Sequence, residues 1–149
     1  MLTTPHVLLG IFLVTKLPPV IGLPLALISH FAIDFLIPHW NPHLFTEIKK
    51  AGHLSQKTLM VIAVDGFLAV VAVGLFSFNP QFSIFPALAA VLATLPDWVE
   101  IPYYFLGFKN KTLIKYVTFE HNHQAKAEFF WGMVTQLFIS GACLWFLLK

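Results

Sequence analysis

Apolar residues fall in long blocks along this chain, separated by short stretches where polar residues and prolines gather. Thr58 to Phe78 is a run of 21 residues with a single charge, and Phe129 to Leu148 is a run of 20 with none. At about 1.5 Å of rise per residue each block reaches about 30 Å, the hydrocarbon thickness of a bilayer. Another apolar run, Val20 to Ile37, stops where Pro38 removes the next backbone donor. Ahead of it, Thr4-Pro5 reads as an N-cap and a first-turn proline that open a helix to about Lys16, too short to span and broken by Pro18-Pro19. A further run, Phe82 to Phe108, follows the Asn79-Pro80 turn and is interrupted by Pro96 and Pro102, which predicts a kink at Pro96. The pattern predicts an all-α integral membrane helical bundle forming one domain over 1–149, with helices at about 5–16, 20–37, 58–78, 82–108 and 127–148. Four of these would span and the first would be re-entrant.

Composition agrees with that reading. Hydrophobic residues make up 58% and charged residues 11%, against roughly 45–50% and 25% in an average soluble domain. So few charges cannot cover a water-exposed surface. The apolar N-terminal run lacks the basic n-region of a cleavable signal peptide, since His6 is the sole ionisable side chain before Lys16, and it reads as mature structure. The single cysteine, Cys143, has no partner, so disulfides do not shape the fold.

The net charge of +2 rests on nine lysines with no arginine. The lysines flank the apolar runs instead of forming one basic face, which argues against nucleic acid as a partner and for topology as their role. Three lie in 39–57 and four in 109–126, with none in the Asn79-Pro80 turn between. The positive-inside rule places both basic stretches in the cytoplasm, and Lys149 alone at the far end does not reverse it.

Several ionisable residues lie inside the apolar runs: His6, His30, Asp34, Asp65, Asp97 and Glu100, with His39, His121 and His123 just outside. A charge at the centre of a membrane helix costs about 2.5–3.5 kcal/mol on insertion scales, so such residues turn to the bundle interior and find partners. With alternating helix direction, Asp34, Asp65 and Asp97 all fall within about 15 Å of the cytoplasmic interface. His6 lands there too if the first hairpin folds back. The residues are expected to converge on one cytoplasm-facing pocket.

His30 and Asp34 stand at i, i+4, on one helix face and within reach of a single ion; a hydrogen-bonded interfacial pair is the alternative. Asp65 has nothing polar near it on its own helix and must find a partner on another. Leu95-Pro96-Asp97 places a carboxylate beyond a break in the backbone, either as a ligand or as the cap of a restarted helix. Glu120-His121-Asn122-His123 reads as a polar interfacial loop on which both histidines could reach one ion. His39, His43 and His53 read as loop residues, His39 being the one placed to join a site.

Thr4-Pro5-His6 with Gly10, Ser29-His30 with Asp34, Pro38-His39, Leu95-Pro96-Asp97 and the late histidine cluster together resemble the small membrane-bound metal-dependent hydrolases of the LexA-regulated inner-membrane type. The resemblance runs over nearly the whole chain and rests on the order and placement of short motifs. It implies a bacterial inner-membrane protein with a divalent metal, zinc first and manganese or iron as alternatives, and hydrolysis of an ester or phosphoester. By position it makes His6, His30, Asp34 and Asp97 ligands. Members often carry an arginine beside the late histidine, in a His-Arg…Thr-His pattern, where this chain has His121-Asn122-His123. Lys109, Lys111 or Lys115 would then have to neutralise an anionic substrate.

The resulting expectation is a metal site that lowers the pKa of a bound water. His6, His30, Asp34 and Asp97 would be ligands, Asp65 a further ligand or an orienting group, and Glu100, His121 or His123 the acid/base. At that depth a phospholipid head group is within reach as substrate. Three other classes stand beside it: an ion- or proton-coupled transporter using the buried Asp and His residues, a bis-histidine haem protein, and a non-catalytic membrane protein with a structural polar cluster.

Overall fold

The computed structural model describes residues 1–79 and 81–149, so Pro80 of the expected Asn79-Pro80 turn lies outside the described residues. Seven helices follow in order: α1 Thr3–Lys16, α2 Pro19–Leu36, α3 Leu44–Ala51, α4 Gln56–Ser77, α5 Phe85–Phe105, α6 Lys111–His123 and α7 Phe129–Leu147. The described residues form no strand.

The short first helix is the axis of the bundle. At 14 residues it is about 21 Å long, yet it packs against α2, α4, α5 and α7. Seven of its residues are buried, from Pro5 to Val14. Small residues make this crowding possible. A Cβ at Gly10 would stand 2.9 Å from the Ala89 carbonyl oxygen and 2.9 Å from the Ala93 Cβ, and one at Gly22 would stand 2.7 Å from the Val14 Cα. Ala26, Ala89 and Ala93 complete a layer, each 0% exposed, in which α1, α2 and α5 meet nearly backbone to backbone. In a bilayer, lipid tails are as apolar as leucine, and such close approach supplies the packing that hydrophobicity alone cannot.

Three helices, α2, α4 and α7, are long and apolar enough to cross a membrane. Their outer faces carry large apolar side chains in the open, including Met60, Phe67 and Val70 on α4 and Phe130, Phe138 and Trp145 on α7. Both observations point to a membrane protein.

Two differences from the sequence pattern matter for the site. Helix α5 begins and ends about three residues inside the 82–108 run and continues through Pro96 and Pro102, so Asp97 sits within a continuous helix and caps nothing. The two polar stretches also fold. Helix α3 ends on Gly52 in the left-handed region (φ 76°), and α6 starts where the Asn110 side chain accepts the Leu113 amide at 2.8 Å. Ile48, Tyr103 and Val117 pack together and hold α3, α5 and α6 in one cluster.

The connections between α2 and α3 and between α6 and α7 run side by side. His39 N–H donates to the Ala125 carbonyl at 2.8 Å, Ala127 N–H to the His39 carbonyl at 2.9 Å, and Ala125 N–H to the Asp34 carbonyl at 2.8 Å. Gly132 lets α7 press on this seam, since a Cβ there would collide with the Trp40 backbone. The seam fixes His39 directly beneath the end of α2.

Candidate metal centre

Six side chains from four helices and one connection converge beside α1. His6 comes from α1, His30 and Asp34 from α2, Asp97 from α5, Glu120 from α6 and His39 from the seam. Their spacing is informative. His6 Nε2 lies 3.2 Å from Asp34 Oδ1, and His39 Nε2 lies 3.8 Å from the same oxygen. His30 Nε2 stands 3.9 Å from Asp34 Oδ2, 3.8 Å from Asp97 Oδ1 and 3.7 Å from Glu120 Oε1. All but the first exceed hydrogen-bond length. They lie a few tenths of an ångström beyond the separation of two atoms sharing a tetrahedral ion, which for zinc bonds of 2.0–2.2 Å is about 3.3–3.6 Å, so a small inward movement of the side chains would bring them to ligand spacing.

Nε2 of His6, His30 and His39 has no hydrogen-bond partner, Asp34 Oδ1 has the Met1 ammonium beside it, and Glu120, whose Oε1 faces His30 and accepts from Tyr116 at 3.4 Å, has its Oε2 unpartnered. His6, His30, Asp34, His39 and Glu120 are each at most 1% exposed. Buried polar atoms left unpaired cost about 1–3 kcal/mol apiece, more for charged groups, so this many at one point require a partner there.

The outer nitrogens fix which atoms are available. His30 Nδ1 is 2.9 Å from the Ala93 carbonyl and His39 Nδ1 is 2.9 Å from the Ile37 carbonyl. A carbonyl only accepts, so Nδ1 carries the proton in both rings and each Nε2 lone pair turns inward, the arrangement metal-binding histidines use. Burial pushes the His39 imidazole down to about 4, leaving it in the neutral form that binds metal. The His6 and His30 rings stack at 4.2 Å. The Met1 ammonium pairs with Asp34, lying 3.1 Å from Oδ1 and donating to Oδ2 at 3.3 Å.

Two overlapping triplets, His6–His30–Asp34 and His30–Asp97–Glu120, each place one ligand atom per residue within 4.8 Å of the others. These buried His, Asp and Glu groups could hold a metal ion.

A cavity of about 530 Å³ adjoins the cluster, its wall including His39, Asp97, Glu100, Trp98, Ile101 and Tyr104. Asp97 is one-third exposed and stands where cluster and cavity meet. Glu100 also faces the cavity, and its Oε1 has no partner.

Three expected site residues lie elsewhere. Asp65 is not with the ligands: it accepts the Thr3 and Thr4 backbone N–H groups, so its partner is the start of α1. His121 and His123 belong to a helix, where i, i+2 positions diverge. His121 stacks on Phe45 at 4.3 Å and its Nε2 lies 3.0 Å from Lys126 Nζ, at the cavity wall. Partial burial first, then the charges of Lys126 and Lys49, hold the His121 imidazole below its ordinary value, so it is neutral and accepts from the lysine. His123 Nδ1 faces the Phe119 carbonyl at 2.8 Å on the exposed side.

Glu120, between them in sequence, is the residue of that segment that points inward. It falls one turn after buried Val117, a spacing that marks the inner face of α6. Gln136 is another buried group that the sequence did not single out: its Oε1 accepts the Leu2 N–H and its Nε2 donates to the Trp40 carbonyl, both at 2.8 Å.

No family model, curated protein or solved structure matches the chain.

Proposed function

We propose that this protein is a membrane-embedded metal-dependent hydrolase acting on a phosphoester or lipid-derived ester. The observation that carries the reading is the convergence of unpartnered, sealed nitrogen and carboxylate atoms at 3.2–3.9 Å on the edge of a cavity. His6, His30 and Asp34 would hold the ion, with His39, Asp97 and Glu120 around it. Mixed imidazole and carboxylate donors favour zinc, with manganese or iron acceptable. When bound, such an ion brings a water to near-neutral pKa and polarises the ester.

The remaining work falls to the chain. Trp98, Ile101 and Tyr104 give the cavity an apolar wall suited to an acyl chain, while Lys126 with His121 offers the charge an anionic head group needs. Glu100 is the acid/base group of this reading because its free carboxyl faces the cavity three residues from Asp97. In this reading α5 is a fourth crossing, α1 is re-entrant, and the two lysine-rich stretches lie in the cytoplasm of a bacterial inner membrane.

Transport is less favoured, because Asp65, the carboxylate most isolated on its own helix, is occupied by the α1 amides. The test is elemental analysis of detergent-purified protein, paired with head-group release from phospholipid in mixed micelles. Bound transition metal and release, both abolished in His30→Ala with Asp34→Ala, are expected. Metal-free wild-type protein, or a metal-loaded protein that cleaves no phospholipid or simple phosphodiester, overturns the proposal.

A further inference from the structure

The two ligand triplets share His30, and one imidazole nitrogen serves one ion. With Nδ1 committed to the Ala93 carbonyl, His30 has only Nε2 to give. The two carboxylate oxygens of Asp34 divide the cluster. Oδ1 faces His6 at 3.2 Å and His39 at 3.8 Å, whereas Oδ2 faces His30 at 3.9 Å. On the far side of His30, Asp97 and Glu120 stand at 3.8 and 3.7 Å. We infer that the centre holds two divalent ions, one on His6 and Asp34 Oδ1 with His39 approaching the same oxygen, the other among His30, Asp97 and Glu120, with the Asp34 carboxylate between them.

This deepens the metal-dependent reading and rests on it. Charge is in keeping with it: Asp34, Asp97 and Glu120 carry three negative charges into a region of low dielectric, the Met1 ammonium beside Asp34 offsets one, and two divalent ions leave a net positive charge beside a cavity where one would leave none. An anionic ester could enter such a site, and the chain has no arginine to attract it otherwise. The unpartnered Glu120 Oε2, in a residue 1% exposed, is a second observation that a one-ion centre on His6, His30 and Asp34 leaves unexplained.

The experiment is zinc and cobalt stoichiometry on the purified chain, by elemental analysis and by competition with a chromophoric chelator, joined to magnetic measurements on the cobalt form. Expected are about two equivalents per chain with coupling between the ions, as in carboxylate-bridged two-metal sites. Glu120→Gln should fall to about one equivalent and lose the coupling. One equivalent in the wild type overturns the two-ion centre and leaves the metal-dependent reading standing, and none overturns both. Two equivalents retained in a folded Glu120→Gln protein would also overturn the assignment. If that variant does not fold, the wild-type count and coupling decide alone.

Discussion

Asp65 of α4 caps Thr3 of α1 across the bundle: its Oδ2 accepts the Thr3 N–H, its Oδ1 accepts the Thr4 N–H at 3.1 Å, and the Thr4 hydroxyl donates to the Asp65 carbonyl at 3.0 Å. A helix that starts inside an apolar bundle has free N–H groups and no water to satisfy them. The carboxylate also meets the positive end of the helix dipole.

Asp65→Ala should therefore destabilise the protein by about 1.5–3 kcal/mol, the range for hydrogen bonds to a charged group, without removing metal. Asp65→Asn, which keeps one acceptor, should lose less. Thermal unfolding in detergent alongside elemental analysis checks both. Loss of metal at unchanged stability would put Asp65 back among the ligands.

Gly10→Ala should cost about 1–3 kcal/mol by overpacking, because the new methyl meets the Ala89 carbonyl and the Ala93 Cβ at 2.9 Å. Gly66→Ala is the control. Nothing lies within 4 Å of a Cβ at that position, so better helix propensity should make it neutral or slightly stabilising. Equal losses in the two variants would contradict the close crossing of α1 and α5.

Removing metal with a strong chelator should lower the unfolding temperature, and adding zinc back should restore it. At a free concentration 100 times the dissociation constant the stabilisation is about 2.7 kcal/mol. In the His30→Ala with Asp34→Ala double variant the chelator should make little difference, since the Nε2 that faces Asp97 and Glu120 and the carboxylate that faces His6 and His39 are both gone.

Lys126→Met should raise the His121 pKa, because a positive neighbour 3.0 Å from Nε2 is removed while partial burial remains. The wild-type ring binds its proton less readily folded than unfolded, so its contribution to stability falls as pH drops through the ordinary imidazole value. Imidazole NMR titration of both proteins reads the shift directly. An unchanged or lower value in Lys126→Met would rule out the lysine as its cause.

The long elements were legible because each is a single apolar run. Thr58–Phe78 maps almost onto α4 and Phe129–Leu148 onto α7. The short helices were not, since α3 and α6 are only 8 and 13 residues long and bury little beyond Ile48, Val117 and Glu120, although their apolar positions do follow a helical period. His30 with Asp34 could be read from i, i+4 spacing. The approach of Glu120 to His30 is set by how α6 docks on α5, through Tyr103 and Val117, and no local spacing encodes it. His39 required the backbone seam to Ala125 and Ala127, which joins segments far apart in sequence. Asp65 was correctly marked as needing a partner on another helix, but main-chain amides leave no signature in a side-chain pattern.

The position of α1 at the axis has a consequence for the order of synthesis. The helix carrying His6 emerges before α4, α5 and α7, three of the four helices that enclose it. Its Leu2 amide is satisfied by Gln136 on α7, made after the other six helices described. During insertion, then, His6 and the start of α1 wait in a half-built bundle, and the centre is sealed only when α7 arrives to close it.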